Sequence, residues 1–428
     1  MKRSKILLSL LPLAGMLVLS SCSLFNDDDI IVTNSFNPIT SQPASTDPDG
    51  ATKINGVVGK EVASVPNALC FKSIPYAKNE VIKNNYGVGG KYHSEYNVND
   101  GKDYEANNSS NNYDLYLPKS INKNEDHTVM LFIHGGAWVA GFKTDVNPYC
   151  FEFAKKGYIT ATIKYTLLNQ KMDNPSLSLF RDLDEIDACI TSIKESLGSL
   201  GFDTTKTHLV IGGASSGAHL SMLYTYSRGK DAALPIEFVI DAVGPVEIKP
   251  RAWKYFGDNS EEIRDAGLSY AAISIQEANG NLYELPVAGE EYGWNEYQTM
   301  KIANGMCGIP YDLDTVRAAA DEEQKYIADP TNEAAISMTK DGGGEDLLSI
   351  TSYIDATTTT PLIAAYAGQD WTVGIAQYAQ LDKALTTYGV THEMVYFRDQ
   401  DHTEISEEKN PTKYQEFISR LEAWLAAI

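Results

Sequence analysis

A pentapeptide of the form Gly-x-Ser-x-Gly stands between two segments of different character. The apolar run Leu209–Ile211 precedes Gly213-Ala214-Ser215-Ser216-Gly217, and Ala218–Leu223 follows with residues that favour a helix. A sharp turn from a strand into a helix holds its central residue in a strained backbone conformation, and a side chain at either flanking glycine would clash. The pattern therefore predicts a strand–turn–helix unit in which Ser215 is a candidate nucleophile.

A second glycine-rich segment follows an upstream apolar run. Residues 128–133 are continuously apolar, as in a strand buried on both faces of a parallel sheet, and they end in His134-Gly135-Gly136-Ala137-Trp138. Consecutive glycines let backbone N–H groups point into a site without obstruction by side chains. We predict an oxyanion hole built from Gly135, Gly136, Ala137 and the N–H of Ser216, which would stabilise negative charge on a carbonyl oxygen under attack. The alternative is a plain glycine turn after a strand.

Two further apolar runs are each followed by a candidate catalytic residue. Residues 361–367 predict a buried strand ahead of Asp370, and residues 394–397 predict the last strand ahead of the loop that contains His402. The chain order serine, acid, histidine is that of the α/β-hydrolase triad, and parallel sheets assemble their sites at the carboxyl ends of the strands. We expect His402 to accept the proton of Ser215 and Asp370 to hold the imidazole in the required tautomer.

Other residues compete for these roles. Asp399 and Asp401 lie close to His402 in sequence, and Asp241 follows a further apolar run, from which it would act as an acid on an earlier strand. We favour Asp370 because acids next to a loop histidine are usually solvated surface charges. His134 is expected to support the glycine loop by hydrogen bonding, and His219 to pack on the helix after Ser215. No His and Cys cluster has zinc-ligand spacing, so we predict neither metal nor cofactor.

At these motifs the sequence resembles a known family. The chain looks like the α/β-hydrolase esterases of the hormone-sensitive-lipase type in five places. These are Tyr113–Pro118, His134–Lys143, Gly213–Leu220 and the surroundings of Asp370 and of His402. The branch with His-Gly-Gly-x-Trp loops, which includes bacterial acetyl and feruloyl esterases and kynurenine formamidases, is similar. The resemblance covers about residues 110–250 and 358–428, and Ala137 stands where many members carry glycine. It implies an α/β-hydrolase fold, with a mostly parallel central sheet, helices on both faces and a long cap insertion.

The N-terminus has the features of a secretory signal. Lys2, Arg3 and Lys5 precede an apolar stretch that ends near Leu19, and Leu19-Ser20-Ser21-Cys22 resembles the lipobox of bacterial lipoproteins. We predict a signal peptide over residues 1–21, lipidation of Cys22 and attachment to the cell envelope, facing outside the cytoplasm, without a transmembrane helix. An ordinary signal cut near Ser21 is the alternative. Residues 22–59, polar and without periodicity, predict a flexible tether.

The remaining residues, 60–428, are long enough for one elaborated hydrolase domain. About 120 residues separate Asp241 from the strand near Pro361, more than a helical crossover needs, and they predict a cap over about residues 250–357. That segment is rich in aromatic residues that would wall a substrate site or form a small core of the cap itself: Trp253, Tyr255, Phe256, Tyr270, Tyr283, Tyr292, Trp294, Tyr297 and Tyr311.

Charge and cysteine content narrow the function classes. The net charge of −22 argues against nucleic-acid partners and against electrostatic adsorption to anionic lipid. Cys70, Cys150, Cys189 and Cys307 are too few for a disulfide framework, and Cys189 lies on an apolar helix face, where a buried free thiol is expected.

These features together predict a serine carboxylesterase that forms an acyl-enzyme on Ser215. Its substrates would be small acyl esters, of acetyl or feruloyl type, on small molecules or extracellular glycans. An amidase or peptidase would use the same triad, and a noncatalytic surface binding protein would retain the fold. The sequence leaves the oligomeric state open.

Overall fold

A central β-sheet organises the protein. The computed structural model describes residues 36–38, 43–46, 51–79, 110–138, 141–168, 178–248, 306–307, 347–370 and 372–428. Its strands are β1 (Phe36–Pro38), β2 (Ser45–Thr46), β3 (Thr52–Ile54), β4 (Val57–Val58), β5 (Lys60–Val62), β6 (Val65–Asn79), β7 (Ser110–Pro118), β8 (His127–Ile133), β9 (Ile159–Ile163), β10 (Thr207–Ala214), β11 (Ile236–Ala242), β12 (Leu362–Ala367) and β13 (His392–Phe397).

The sheet is antiparallel at its N-terminal side and parallel elsewhere. Its order is β1-β6-β7-β9-β8-β10-β11-β12-β13, with β5 paired to β6, while β2, β3 and β4 form a separate small sheet. The β6–β7 and β7–β9 pairs are antiparallel, and every pair from β9 and β8 through β12 and β13 is parallel. The carboxyl ends of β8, β10, β11, β12 and β13 therefore share one edge of the sheet.

Helices cover both faces of the sheet because its buried strands alternate their side chains between two cores. On β8, Val129 and Leu131 enter one core and Met130 and Phe132 the other. The first core includes side chains of α2 (Leu179–Ser199), α3 (Ser216–Arg228) and α4 (Ile375–Tyr388), and the second includes those of α1 (Asn147–Lys155) and α5 (Pro411–Leu425). Full burial of each large aliphatic side chain contributes about 1.5–3 kcal/mol. The chain has the α/β-hydrolase fold, as predicted.

The N-terminal part of the fold begins earlier than the sequence indicates. Within the range predicted as a tether, β1 pairs with β6, and Ile54 of β3 is fully buried in the first core. These short strands are held by pairing and packing against the long β6, a non-local contribution that local composition does not show. Residues 1–35, which include the predicted signal peptide and Cys22, lie outside the described residues.

The predicted cap falls mostly outside the described residues as well, since 249–305 and 308–346 are not described. All nine aromatic residues of that prediction belong to these two stretches. Cys70, Cys150 and Cys189 are buried free thiols, as expected for Cys189. Among the described helices, none combines the length and the apolar character that a membrane crossing requires.

Candidate active site

Ser215 occupies a strained turn between β10 and α3. Its backbone lies at φ 55° and ψ −125°, a conformation that residues other than glycine rarely adopt. A Cβ on Gly213 would stand 2.4 Å from the carbonyl oxygen of Ile133, and one on Gly217 would stand 2.1 Å from the same atom. The two glycines are required because the turn packs directly on the end of β8. Ser215 is half-buried, whereas Ser216 and Gly217 are buried beneath it.

The side chains of Asp370 and His402 are hydrogen-bonded to each other at the same edge of the sheet. Nδ1 of His402 lies 2.7 Å from Oδ2 of Asp370, and the carboxylate can only accept, so Nδ1 carries the hydrogen. Oδ1 of Asp370 accepts hydrogen bonds from the backbone N–H groups of Thr372, at 2.8 Å, and Val373, at 2.7 Å. The Asp370 side chain is fully buried, and that of His402 is 18% exposed. The carboxylate of Asp370 is therefore fixed in orientation while the imidazole of His402 remains accessible.

The serine stands on the same edge as this pair. Ala214, just before Ser215, is in register with Ala242 of β11, and Ala242 is in register with Ala365 of β12. The turn at Ser215 therefore lies two strand spacings, about 10 Å, from β12, the strand that precedes Asp370. Among the described residues, the structure forms no hydrogen bond between Ser215 Oγ and His402. Such contacts are often long before substrate binds, and the separation suits a carboxylate, an imidazole and a hydroxyl in line. The structure thus brings acid and base together and leaves the full triad a prediction.

The glycine-rich segment after β8 passes directly beside Ser215. A Cβ on Gly135 would lie 2.8 Å from the carbonyl oxygen of Ala214 and 3.2 Å from Cβ of Ser215. Gly136 has φ 120°, and Ala137 has φ 51° in the left-handed region, where alanine is strained. Ser216 is the first residue of α3, so its N–H has no acceptor within the helix. Gly135 and Ser216 lie beside Ser215, Gly136 and Ala137 follow Gly135 in the chain, and the role of these four residues as an oxyanion hole stays a prediction.

His134 and His219 support the site without serving as its base. His134 is buried, stacks on Tyr165 with ring centroids 4.4 Å apart, and places Nδ1 2.8 Å from the carbonyl oxygen of Gly135. Burial lowers the pKa of His134 to about 4, so the ring is neutral and Nδ1–H donates to that oxygen. His219 is buried too, contacts Trp138 edge to face, and places Nε2 2.9 Å from the carbonyl oxygen of Leu348.

The competing acids are engaged elsewhere. Oδ2 of Asp241 lies 2.8 Å from the hydroxyl of Tyr366, which also lies 2.6 Å from the carbonyl oxygen of Gly244, and Oδ1 accepts from the N–H of Gly244 at 2.8 Å. Burial raises the pKa of Asp241 to about 7. Oδ1 of Asp401 accepts from the N–H and the hydroxyl of Thr403, and Asp399 is exposed. The interpretation of Asp241 as the acid partner of His402 is wrong, because its carboxylate is held by β12 and by the turn after β11.

Sequence reasoning missed the groups that hold the acid and the loop in place. The N–H groups of Thr372 and Val373 orient Asp370, and the Asp-x-Thr pattern from 370 to 372 is the only local signal for such a turn. Lys143, just beyond the glycine loop, is buried against Asp114. Within the described part of the chain, no group of His, Cys, Asp and Glu side chains is arranged to hold a metal ion.

Comparisons with known proteins find similarity to esterases. Residues 113–270 match the family model described as BD-FAE, an α/β-hydrolase esterase family. Over 111 residues, 26% of this chain and 24% of the relative, the sequence is 32% identical to a probable isoprenylcysteine alpha-carbonyl methylesterase (ICME) of Oryza sativa subsp. japonica. It is also 24% identical over 142 residues to the non-reducing polyketide synthase atr1 of Stereocaulon alpinum, covering 32% of this chain and 5% of the synthase. The chain thus spans a quarter or less of the length of these relatives.

Solved structures of bacterial esterases resemble the protein at low sequence identity. Esterase B from Lactobacillus rhamnosis matches with a TM-score of 0.46 and 15% identity, covering 74% of this chain and 81% of that one. A butyrate-bound esterase of Thermogutta terrifontis, Est2, matches with a TM-score of 0.45 and 15% identity, covering 75% and 90%. The assignment of the fold rests on the sheet order and on the helices that cover both of its faces.

Proposed function

We propose that this chain, whose residues 113–270 match BD-FAE, is a serine carboxylesterase. The observation that carries the proposal is the buried Asp370–His402 pair at the sheet edge where Ser215 occupies its strained elbow. A histidine held by an acid, a serine on a strained turn and glycines beside it are the parts that acyl transfer needs. The name of the methylesterase relative supports ester hydrolysis as the reaction.

The reaction follows from these groups. His402 Nε2 takes the proton of Ser215 Oγ as that oxygen attacks the carbonyl carbon, and the negative charge on the carbonyl oxygen is stabilised by N–H groups of the glycine loop and Ser216. The ester bond then breaks, and the imidazolium gives its proton to the departing alcohol. In the second half, His402 removes a proton from water, water attacks the acyl-enzyme, and the acid product leaves as Ser215 recovers its proton. Asp370 stabilises the imidazolium through its hydrogen bond to Nδ1 of His402.

Hydrolysis of p-nitrophenyl acetate tests this reaction. We expect turnover by the chain without residues 1–22, and loss of nearly all of it in Ser215→Ala. Ser221→Ala is the matched control, because Ser221 is buried on α3, the helix that follows Ser215, and donates to the carbonyl oxygen of Gly217. Its activity should stay within a few-fold of the wild type. Undiminished turnover in Ser215→Ala would refute the nucleophile.

Active-site labelling separates catalysis from mere binding. A fluorophosphonate probe should modify Ser215 in the folded chain and leave Ser215→Ala unlabelled. A folded chain that the probe leaves unmodified would indicate a noncatalytic binding protein. Matched ester and anilide substrates with the same acyl group should show a preference for the ester, and the opposite preference would indicate an amidase.

The substrate class is a further part of the proposal. We infer small acyl esters of acetyl or feruloyl type, including those on extracellular glycans, from the resemblance of the site motifs and from the expected surface location. A panel of acetylated and feruloylated oligosaccharides, run beside short and long acyl p-nitrophenyl esters, tests this inference. Highest kcat/KM on a long-chain ester would contradict it.

We also propose that lipidation of Cys22 attaches the enzyme to the cell envelope. The basic residues at positions 2, 3 and 5, the apolar stretch after them and the segment Leu19–Cys22 support this address. Cells that express the chain should incorporate labelled palmitate into it, and Cys22→Ala should abolish the incorporation. Equal labelling of both forms would refute Cys22 as the attachment point.

A further inference from the structure

The segment that passes beside Ser215 contains strained residues that need support from outside it. Ala137 and Trp138 have φ of 51° and 63°, both in the left-handed region. Gly141 lies against the start of the segment, since a Cβ on it would stand 2.1 Å from the carbonyl oxygen of Gly135 and 2.7 Å from Nδ1 of His134. Whatever fixes the chain just after Gly141 therefore also fixes Gly135 beside the nucleophile.

Lys143, two residues after Gly141, is anchored in the sheet. Its side chain is 4% exposed, and its ammonium donates to Oδ1 of Asp114 at 2.5 Å, Oγ of Ser73 at 2.8 Å and Oδ1 of Asn112 at 2.6 Å. An ammonium has three hydrogens, and all three are used. The contact joins the chain that follows the glycine segment to β6 and β7.

The receiving site is built by an irregularity in β6. The register of the β6–β7 pair shifts between Phe71 and Ile74, and Ser73 within this bulge has φ 58°. The bulge lets the N–H of Ser73 donate to Oδ1 of Asp114 at 2.7 Å while its hydroxyl accepts from Lys143. Bulges that re-aim side chains are frequent beside active sites, and strained residues persist where the surroundings hold them.

Asp114 carries two cations on its two oxygens. Oδ2 lies 3.1 Å from Nζ of Lys72, whereas Lys143 contacts Oδ1. Burial alone would raise the pKa of Asp114, but the two ammonium groups bring it to about 2. Lys72 lies on β6, away from the glycine-rich segment. It therefore contacts the same carboxylate as Lys143 but cannot hold that segment in place.

We propose that Lys143, through its pairing with Asp114 in the β6 bulge, is a positioning residue that holds the oxyanion segment 134–138 beside Ser215. The inference rests on the proposed esterase function, because it assigns a task to that segment in the reaction. Lys143 acts on the reaction only through the backbone that it fixes. Oxyanion donors act on the charge that develops in the transition state, so their displacement lowers kcat more than it changes KM.

Lys143→Met and Lys72→Met, each in the full chain, form a matched pair. Each removes one ammonium from Asp114 and leaves an apolar side chain of similar length. With p-nitrophenyl acetate we expect kcat to fall by about 10- to 100-fold in Lys143→Met with KM within about threefold of the wild type. Lys72→Met should keep kcat within about threefold. Equal kcat values for the two variants, after correction for the folded fraction by circular dichroism, would overturn the proposal.

Ser73→Ala serves if Lys143→Met does not fold. It removes one of the three acceptors of the ammonium and keeps both charges and the backbone bond to Asp114. We expect kcat to fall about two- to fivefold and amide hydrogen exchange in the peptide 134–143 to become faster. Wild-type kcat and wild-type exchange in Ser73→Ala would overturn the proposal.

Hydrogen exchange also distinguishes failure of this inference from failure of the proposed function. If the wild type hydrolyses no ester, the esterase function fails. Exchange in the peptide 134–143 still reports the positioning, with faster exchange in Lys143→Met than in Lys72→Met expected. If the wild type is active and Ser215→Ala is not, but Lys143→Met matches Lys72→Met, the positioning role alone fails.

Discussion

Replacement of Asp370 by asparagine perturbs the catalytic pair with little change in shape. Oδ1 of Asp370 accepts two backbone N–H groups, from Thr372 and Val373, and Oδ2 accepts Nδ1–H of His402. An asparagine has one oxygen and one NH₂ group to place at these two positions. With the oxygen toward His402, the NH₂ group would face two backbone donors and leave both unpaired, at about 1–3 kcal/mol each. The amide therefore directs its NH₂ group at the imidazole.

This orientation dictates the size of the catalytic defect. An NH₂ group donates to Nδ1 of His402, so Nδ1 loses its hydrogen and Nε2 carries it instead. A protonated Nε2 has no lone pair to accept the proton of Ser215. In the chymotrypsin-type triad the same tautomer error lowers kcat about 10⁴-fold, which corresponds to about 5 kcal/mol of activation free energy. We expect a loss of that order here, with the fold preserved.

Steady-state hydrolysis of p-nitrophenyl acetate by Asp370→Asn and Asp241→Asn provides the assay. Asp241 is the matched control because it too is a buried aspartate, near the carboxyl end of the parallel strand β11, and accepts one backbone N–H. Its carboxylate contacts Tyr366 and not His402, so kcat of Asp241→Asn should stay within about threefold. A kcat of Asp370→Asn within tenfold of the wild type would refute the role of Asp370, and loss of activity in Asp241→Asn instead would refute it most strongly.

Further predictions concern stability and the packing of the elbow. The pKa of Asp241 is about 7 in the folded chain and 3.8 in the unfolded chain, so the wild type loses stability as pH rises from about 4 to 7. In urea unfolding, the free energy of unfolding of Asp241→Asn should therefore rise by about 3 kcal/mol relative to that of the wild type between pH 5 and pH 8. A difference between the two free energies that stays constant with pH would contradict the burial of Asp241 as a neutral acid. Gly217→Ala places a Cβ 2.1 Å from the carbonyl oxygen of Ile133, so the turn at Ser215 must shift by about 1 Å, which should lower kcat/KM about 100-fold. The control Gly198→Ala, whose Cβ meets only a methyl group at 3.4 Å, should leave kcat/KM unchanged. Burial lowers the pKa of His219 to about 4, so the free energy of unfolding of the wild type should fall by about 3 kcal/mol through this group as pH falls from 6.5 to 4. His219→Gln should abolish that loss in acid unfolding curves. The same dependence of stability on pH in both forms would show that the ring is protonated in the fold.

The parts of the fold that could be predicted are those where one local pattern suffices. The apolar runs at 128–133 and 361–367 became β8 and β12 almost to the residue, because a strand buried on both faces needs uninterrupted apolar side chains. The apolar helix face predicted around Cys189 is the inner face of α2, where Leu183, Ile186 and Ile190 are buried. The elbow was predictable for a similar reason, since only small residues fit where α3 packs on the end of β8.

The parts that could not be predicted depend on contacts between distant segments. Position after a strand made both Asp241 and Asp370 candidates, and only the placement of Tyr366 and of the 372–373 turn separates them. The buried ammonium of Lys143 is a second case, because nothing near it in sequence shows that a bulge in β6 supplies its acceptors. Polar residues buried in networks carry no periodic signal, and their partners become apparent only in the folded chain.

The chain on either side of the long segment predicted as a cap is hydrogen-bonded to two helices, α4 after Asp370 and α3 after Ser215. Oε1 of Gln377, on α4 after the Asp370 turn, accepts the N–H groups of Val246, at 2.8 Å, and Glu247, at 2.7 Å, and its Nε2 donates to the carbonyl oxygen of Glu247. On the returning side, His219 of α3 donates to the carbonyl oxygen of Leu348. These bonds engage backbone atoms at both ends of the segment, so its sequence can change while the bonds persist. We therefore expect substrate preference to depend on the segment itself, and the geometry of Ser215, Asp370 and His402 to depend on this attachment.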